Sequence, residues 1–367
     1  MIINYIILSV LSFLITFIIT PVIRKTAVTN NALDIPCDRK IHKIPLPRLG
    51  GIAIAIAFFF SLSVGYILFR PDKNSEIEAL AGISIGASII TFIGIWDDIR
   101  GLNAEKKSLG QLATALSILP FGFIINQVNV PFLGVINIGN PLGALLTIFW
   151  VIGIINAINF IDGIDGLAGT VTLFILFALS IISYIFGQTQ MIIISIVLAG
   201  AVLGFLKYNI HKASIFMGDS GAMLLGFATS TVTIKVLFQN SDIVSSSMIP
   251  ILIFGLPIVD ATWGILRRLR RKKSPFSADL GHLHHRLISL GLSQDKVLLI
   301  LGLIGLFSTS VGIIIVLLKS EILSVILCGF MLAIALSMVI FLGRISPISE
   351  QCQENLESHS KTSEVVS

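Results

Sequence analysis

The sequence predicts an all-α integral membrane protein, built as a bundle of about eleven transmembrane helices. Of its 367 residues, 55% are hydrophobic and 12% are charged, whereas soluble domains carry about 25% charged residues. The mean hydropathy is +0.96, and apolar runs of about 20 residues recur along the chain, each long enough to cross a bilayer. Because backbone polar groups must be paired within lipid, these runs are predicted to be helices.

The eleven predicted spans are separated by more polar segments of varied length. They lie near 3–23, 50–69, 78–96, 109–126, 141–161, 167–187, 189–206, 220–238, 245–263, 295–318 and 321–343. The first has neither a basic segment before it nor a small-residue cleavage pattern, so we predict a transmembrane helix rather than a signal peptide. Residues 1–343 are predicted to form one polytopic membrane domain, and 344–367 a polar, disordered cytoplasmic tail.

The basic residues are distributed unevenly between the two sets of loops. Loops on one side hold eighteen Lys and Arg, and those on the other side hold three. Cytoplasmic loops collect basic residues, so the N-terminus is predicted outside and the C-terminus inside. The net charge of +5 therefore indicates orientation and not nucleic-acid binding. The cysteines Cys37, Cys328 and Cys352 form no CxxC pair, which excludes a disulfide framework or a zinc ribbon.

Four polar clusters interrupt the apolar sequence, and all four are predicted to lie on the cytoplasmic side. They are WDDIRGLNAEKK (96–107), NFIDGIDG (159–166), FMGDSGA (216–222) and GHLHHRL (281–287). Their convergence predicts an active site at the cytoplasmic face of the bundle, formed by carboxylates, lysines and histidines.

The first acidic pair, Asp97 and Asp98, follows the third span. A solvated loop would explain this pair, but carboxylates at a helix C-terminus interact unfavourably with the helix dipole, by about 0.3–1 kcal/mol each. That cost favours a functional role for the pair.

The second acidic pair, Asp162 and Asp165, could cap the sixth helix. In a helix-like turn their spacing instead places both on one face, about 5–6 Å apart, and Gly163 permits close approach of a ligand.

Asp219 precedes the eighth span, where it either caps that helix or binds a metal near a helix N-terminus that also favours phosphate. Asn159 could supply an amide oxygen to the same ion or form a hydrogen bond to a neighbouring helix.

The histidine cluster has no cysteine nearby, and the oxygen ligands elsewhere suit magnesium better than zinc. We therefore expect the imidazoles to contact a phosphate or a sugar.

Three further basic or ionisable features have simpler explanations. The run RRLRRKK (267–273) is predicted to anchor the chain at anionic lipid. Asp260 lies within a predicted span, where an ionisable group costs about 2.5–3.5 kcal/mol; it is either functional or paired with Arg267. Lys235 is expected to extend toward the outer interface.

Carboxylates around magnesium, with Lys and His nearby, suit a diphosphate substrate, because the metal neutralises phosphate charge and orients the leaving group. A site at the membrane surface suits one lipid substrate and one soluble substrate. These residues alone predict a metal-dependent membrane enzyme acting on phosphates. A lipid phosphatase is a rival, and so is a transporter, which would place ionisable residues near the bilayer midplane.

Six motifs in order resemble the polyprenyl-phosphate N-acetylhexosamine-1-phosphate transferase family over about residues 20–290. They are DIPCDRKIHKIPLPRLGG (34–51), WDDIRGL (96–102), NAINFIDGIDGLAG (156–169), FMGDSGA (216–222), PIVDATWGILRR (257–268) and GHLHHRL (281–287). The HLHHR pattern is similar to the branch that uses UDP-GlcNAc and undecaprenyl phosphate, whereas the muramyl-pentapeptide branch usually has an HHH-type loop.

The resemblance implies transfer of GlcNAc-1-phosphate from UDP-GlcNAc to undecaprenyl phosphate, releasing UMP, as the first membrane step of a cell-envelope polysaccharide. A 6-deoxy-sugar or muramyl-pentapeptide donor stays open. The implied setting is the bacterial inner membrane, and the implied partners are the bilayer, the lipid phosphate and a UDP-N-acetylhexosamine, with no nucleic acid. A homodimer is compatible with the sequence, which does not fix the oligomeric state.

The resemblance also implies residue roles. Asp219 matches the family's magnesium ligand, with Asn159 as its companion and Mn²⁺ as a substitute ion. Asp97 and Asp98 match an essential pair that acts either as a base or by positioning. The other implied roles are ordering of the metal site or donor by Asp162 and Asp165, phosphate contact by Lys107 with Lys106 as the fallback, and donor contact by His282, His284, His285 and Arg286.

Overall fold

The computed structural model describes residues 2–35, 44–71, 73–240, 247–272, 274 and 281–343. Within them the helices are α1 (Ile2–Thr29), α2 (Gly50–Phe69), α3 (Asn74–Arg100), α4 (Ala104–Ser117), α5 (Asn140–Ile161), α6 (Leu167–Ile185), α7 (Thr189–Asn209), α8 (Gly218–Thr233), α9 (Met248–Ile253), α10 (Gly255–Arg270), α11 (Leu283–Ser289), α12 (Gln294–Leu318) and α13 (Glu321–Gly343). The strands β1 (Leu33–Asp34) and β2 (Leu46–Pro47) pair antiparallel, as do β3 (Gln127–Val130) and β4 (Gly134–Asn137). The segment 39–42, Lys273 and the predicted tail 344–367 lie outside the described residues.

The prediction of an all-α integral membrane protein is confirmed. Among the described residues, nine helices are long and apolar enough to cross a membrane: α1, α2, α3, α5, α6, α7, α8 with its π-helical continuation to Phe238, α12 and α13. Two of the eleven predicted spans are not single helices. The span predicted at 109–126 is α4, with 14 residues, followed by a 3₁₀ turn. The span predicted at 245–263 is divided into α9 and α10.

Proline explains both interruptions. Pro257 has no N–H to donate to the carbonyl of Ile253, four residues earlier, so the helix is interrupted near Phe254. After α4, Pro120 lies in the 3₁₀ turn, and Gly122 ends that turn with a φ of 75°. A left-handed residue of this kind commonly terminates a helix.

Both interrupted segments still connect the two ends of the bundle. At the start of α4, Lys107 contacts Asp97 at the end of α3. Beyond α4, the carbonyl of Gly122 accepts a hydrogen bond from Lys235 at the far end of α8, at 3.0 Å. The pair α9–α10 likewise runs from the β3–β4 ribbon back toward α11. The described chain therefore passes between the two ends eleven times, and Lys235 lies at the end predicted to face outward.

The helix α8 lies at the centre of the bundle. Its residues Ser220–Thr233 are all buried, and it packs against α2, α3, α5, α6 and α7. Its hydroxyls donate to carbonyls three or four residues earlier, as from Thr229, Ser230 and Thr233. These bonds satisfy the hydroxyls within an otherwise apolar helix. In contrast, α1 and α13 expose many of their apolar side chains, as expected for helices that face lipid.

Glycines bring three helices into backbone contact near the first turn of α8. A Cβ added at Gly51 of α2 would lie 2.0 Å from the nitrogen of Gly221, and one added at Gly94 of α3 would lie 2.4 Å from the Cα of Ser220. The backbone at 47–51 also pairs with Phe216 and Met217, as in the bond from the N–H of Gly51 to Met217 at 2.8 Å. We call this end of the bundle, where α3 and α5 end and α8 begins, the site end.

Candidate active site

Four residues from three of the predicted clusters meet at the site end. The Nζ of Lys107 lies 3.0 Å from Oδ2 of Asp97 and 2.9 Å from Oδ1 of Asp219. Asn159 donates through its amide nitrogen to Asp219, and its amide oxygen lies 3.5 Å from Lys107. The end of α3, the start of α4, the end of α5 and the start of α8 thus each contribute one side chain to a single group.

The loop between α3 and α4 positions Lys107. Asp97 accepts the backbone N–H of Leu102 at 2.6 Å through its second carboxylate oxygen, and Asn103 caps α4 by accepting the N–H of Lys106 at 3.0 Å. The side chain of Lys106 is exposed at the surface. Of the two lysines predicted as phosphate ligands, the structure therefore brings Lys107 into the cluster and leaves Lys106 outside it.

Asp98 caps a helix other than its own. Its carboxylate accepts the backbone N–H groups of Asp219 at 2.8 Å and Ser220 at 3.0 Å, and the hydroxyl of Ser220 at 2.7 Å. The positive end of the α8 dipole offsets the unfavourable position of this acid at the end of α3. Gly218, with a φ of 73°, leaves the space, since a Cβ there would lie 2.5 Å from Asp98. Asp98 is 7% exposed, so the solvated-loop interpretation is wrong.

Neither acid of the DGIDG turn caps α6. The N-cap of that helix is Gly166, with a φ of 75° and no side-chain bond. Asp165 instead accepts the N–H of Ala213 at 2.8 Å, and Asn209 accepts the N–H of Gly166 at 3.1 Å. These bonds fix the turn after α5 to the loop between α7 and α8. The helix-capping interpretation of this pair is therefore wrong.

Asp162, which directly follows α5, has an unusual proton affinity. Burial, followed by the negative charges of Asp219, Asp98 and Asp165, raises the pKa of this carboxyl to about 7, against the opposing effect of Arg48. The side chain of Asp162 can therefore gain or lose a proton near neutral pH. Its neighbour Asp219 belongs to the cluster in which Lys107 is the cation that contacts both carboxylates.

The histidine segment is held by buried polar contacts. His282 pairs through Nδ1 with Asp260 at 2.8 Å, and the guanidinium of Arg286, 3% exposed, donates to the carbonyls of Gly281 and Leu342. His284 is 2% exposed. Of the four residues predicted to contact the donor, His285 is the one that lines the cavity, and the other three hold the segment in place.

The environment of His284 favours the neutral form of its imidazole. Its burial lowers its pKa well below the usual value, and the neighbouring His285 adds to this effect while Asp260 opposes it. Its Nε2 atom faces Gly163 of the DGIDG turn, where an added Cβ would lie 2.1 Å away. Gly163 therefore allows the histidine segment to pack against the acidic turn, so its neighbour is a protein side chain and not the predicted ligand.

A cavity of about 1020 Å³ opens at the site end and is lined by residues of all four predicted clusters. This volume is at the upper end of the usual range for small-molecule sites. Its charged side chains are mostly carboxylates: Asp34, Asp98, Asp162, Asp165, Asp219 and Asp295. One arginine, Arg48, and one lysine, Lys212, also line it. The excess of negative charge favours a bound cation when a phosphate-bearing ligand enters.

Several lining residues were not predicted from the sequence. Asp34 in β1 forms an ion pair with Arg48, which follows β2. His211 in the α7–α8 loop pairs with Asp295 of α12 at 2.9 Å. Arg48 belongs to the PRLGG motif, which was a usable signal. His211 and Asp295 lie in no motif, so only the fold reveals that they meet.

The donor set of the cluster fits magnesium. Asp97, Asp219 and Asn159 supply hard oxygen atoms, and the ammonium group of Lys107 lies among them as a cation. Among the described residues, no group of three or more His, Cys, Asp or Glu side chains is arranged to hold a metal ion. Magnesium usually takes one or two carboxylates and completes its shell with water and substrate phosphates, so the limited protein donor set is compatible with it.

Comparison with known proteins agrees with the motifs. The model of glycosyl transferase family 4 matches residues 80–237. The chain is 34% identical over 309 residues to a probable undecaprenyl-phosphate N-acetylglucosaminyl 1-phosphate transferase of Bacillus subtilis, covering 84% of each chain. It is 33% identical over 311 residues to a decaprenyl-phosphate N-acetylglucosaminephosphotransferase of Mycobacterium leprae, covering 79% of this chain and 78% of that one. A phospho-N-acetylmuramoyl-pentapeptide-transferase of Staphylococcus aureus is 27% identical over 323 residues, covering 83% and 97%. The chain therefore belongs to glycosyl transferase family 4, and it is a membrane-embedded phosphoglycosyltransferase.

Proposed function

We propose that this enzyme transfers N-acetylglucosamine-1-phosphate from UDP-GlcNAc to undecaprenyl phosphate, giving undecaprenyl-diphospho-GlcNAc and UMP. The reaction would be the first membrane step in building a cell-envelope polysaccharide. The site end would face the cytoplasm of a bacterial inner membrane, because the loops on that side hold eighteen Lys and Arg against three on the other.

The convergence of Asp97, Lys107, Asn159 and Asp219 beside an acidic cavity is the observation that supports this function best. Phosphoryl transfer needs mainly positioning and charge stabilisation from the protein, and such a cluster supplies both. The names of two relatives, with identities of 34% and 33%, specify N-acetylglucosamine phosphate and a polyprenyl phosphate. They support the choice of sugar and lipid.

In the proposed reaction an oxygen of the lipid phosphate attacks the phosphorus that carries the sugar. A new P–O bond forms, the P–O bond to UMP breaks, and UMP leaves with the electron pair of the bridging oxygen. The lipid phosphate is a monoester whose second pKa is about 6, so it is mostly a dianion at neutral pH and needs no strong base. Asp97 therefore acts by holding Lys107 and the α3–α4 loop in place.

Asp219 and the amide oxygen of Asn159 would hold magnesium, with Mn²⁺ as a substitute, and the ion would supply charge neutralisation at the diphosphate. Lys107, whose Nζ lies 2.9 Å from Oδ1 of Asp219, would contact the phosphates. Asp165 would fix the turn that borders the donor, and Asp162 would hold or release a proton near its pKa of about 7. His285 would contact the donor from the cavity wall.

A second donor is supported by one specific observation. The Staphylococcus aureus relative is named for transfer of phospho-N-acetylmuramoyl-pentapeptide, and this chain covers 97% of it. Its identity of 27% is lower than the 34% and 33% found for the N-acetylglucosamine proteins. We therefore place UDP-GlcNAc first and keep the muramyl-pentapeptide and 6-deoxy-sugar donors as the alternatives.

The test is UMP release by the purified protein in detergent with undecaprenyl phosphate and magnesium. UDP-GlcNAc, UDP-GalNAc and UDP-MurNAc-pentapeptide are compared as donors, and UMP is expected from UDP-GlcNAc alone. UMP from another donor would overturn the assignment of the sugar, and UMP without the lipid would indicate a hydrolase.

For the metal, Asp219→Asn is expected to abolish transfer while the thermal unfolding temperature stays near that of the wild type. Full activity in a folded Asp219→Asn protein would contradict the magnesium assignment.

A further inference from the structure

Asp260 is a buried carboxylate without a role in the proposed reaction. It lies on α10 and is 1% exposed. One oxygen pairs with Nδ1 of His282 at 2.8 Å, and the other accepts the backbone N–H of Leu283, also at 2.8 Å. A buried carboxylate costs several kcal/mol unless its partners compensate for lost hydration. Both contacts therefore tie α10 firmly to the first residues of the histidine segment.

The contact fixes the orientation of His282. The residue precedes α11, and its side chain makes no capping bond of its own, so Asp260 accepts the first helical N–H in its place. Donation from Nδ1 to a carboxylate also fixes the ring and its tautomer, as outer-shell carboxylates do for histidines at metal sites. The ring centroid of His282 lies 5.5 Å from that of Phe160, which directly follows Asn159.

From His282 the packing continues to the cavity. The rings of His282 and His284 are nearly parallel, with centroids 5.9 Å apart and an interplanar angle of 3°. The rings of His284 and His285 lie 4.3 Å apart. His284 packs against Gly163 of the acidic turn, and His285 lines the cavity. A shift of His282 would therefore displace both the wall residue and the support of the turn.

We propose that Asp260 is a positioning residue for the donor side of the site, which acts through His282 to hold His284 against Gly163 and His285 in the cavity wall. The inference rests on the proposed function for its kinetic consequence. The expected effect is on the donor, because the histidine segment lies beside Asn159 and the DGIDG turn.

A double-mutant cycle tests the proposal. Asp260→Asn keeps an acceptor for Leu283 but cannot hold His282 in the same way, and His282→Ala removes the ring. Each is expected to raise the KM for UDP-GlcNAc about tenfold and to leave the KM for undecaprenyl phosphate within about twofold, and the double variant should resemble either single variant. Glu321→Gln is the matched control, because Glu321 also accepts a backbone N–H, from Phe132, but at the opposite end. Additive effects, or equal changes in both KM values, would overturn the inference.

A readout independent of catalysis separates this inference from the proposed function. Diethyl pyrocarbonate labelling with mass spectrometry should find His284 protected in the wild type and reactive in Asp260→Asn. If the wild type transfers no sugar from any donor, the proposed function fails and the labelling still decides the inference. If Asp260→Asn fails to fold, His282→Asn, whose amide can still donate to Asp260, should protect His284 better than His282→Ala. Equal reactivity in those two variants would overturn the proposal.

Discussion

The carboxylate of Asp98 accepts the backbone N–H of Asp219 at 2.8 Å, so one residue of the first acidic pair sets the position of the proposed magnesium ligand. The same carboxylate accepts the N–H and the hydroxyl of Ser220. Asp97, its neighbour in sequence, contacts Lys107 instead. Two adjacent aspartates therefore have different structural roles.

Asp98→Ala should remove the acceptor for the first turn of α8. Hydrogen bonds to charged groups contribute about 1.5–3 kcal/mol each, so we expect the thermal unfolding temperature to fall clearly. A displacement of about 1 Å at Asp219 would reduce UMP release about 100-fold. Ser220→Ala keeps both backbone bonds and should lose far less activity. Equal losses in the two variants would argue against the capping role.

Lys107→Met should leave Asp97 and Asp219 facing each other without their shared cation. We expect UMP release to fall at least 100-fold, because the remaining buried charges are uncompensated and the phosphate contact is lost. Lys106→Met should change the rate less than about twofold, since that side chain is exposed. Comparable losses from both substitutions would favour a general effect of positive charge on the α3–α4 loop.

Asp162→Asn should alter the pH dependence of stability. The folded protein keeps the proton of Asp162 up to about pH 7, whereas the ordinary pKa is 3.8, so ionisation costs stability progressively as pH rises through that range. With EDTA present, the unfolding temperature of the wild type should fall more between pH 5 and pH 8 than that of Asp162→Asn. Parallel curves would show that burial does not perturb this carboxyl.

Gly94→Ala should separate α3 from α8. A Cβ at this position would lie 2.4 Å from the backbone of Ser220, so the helices must move, and such overpacking typically costs about 1–3 kcal/mol. Gly153→Ala is the matched control within α5, because a Cβ there meets nothing within 4 Å and alanine favours helix formation. We expect a lower unfolding temperature and loss of activity for Gly94→Ala only.

Much of the architecture was predictable, because long apolar runs identify spans without knowledge of their partners. The exceptions have local causes. Pro257 interrupts the predicted span at 245–263, and the segment after α4 ends in a 3₁₀ turn that contains Pro120. A hydrophobicity pattern over about 20 residues averages over such positions, so it found the crossings and missed the breaks.

The sequence by itself determined the membrane class, the positions of the crossings and the four polar clusters at one end, because hydropathy and residue type are properties of the chain alone. Only the tertiary structure decided which member of each cluster serves which purpose. With 3.6 residues per helical turn, neighbours such as Asp97 and Asp98 point about 100° apart. Which one faces Lys107 and which one caps α8 depends on the rotation of α3, and that rotation is fixed by the close contact of Gly94 with Ser220.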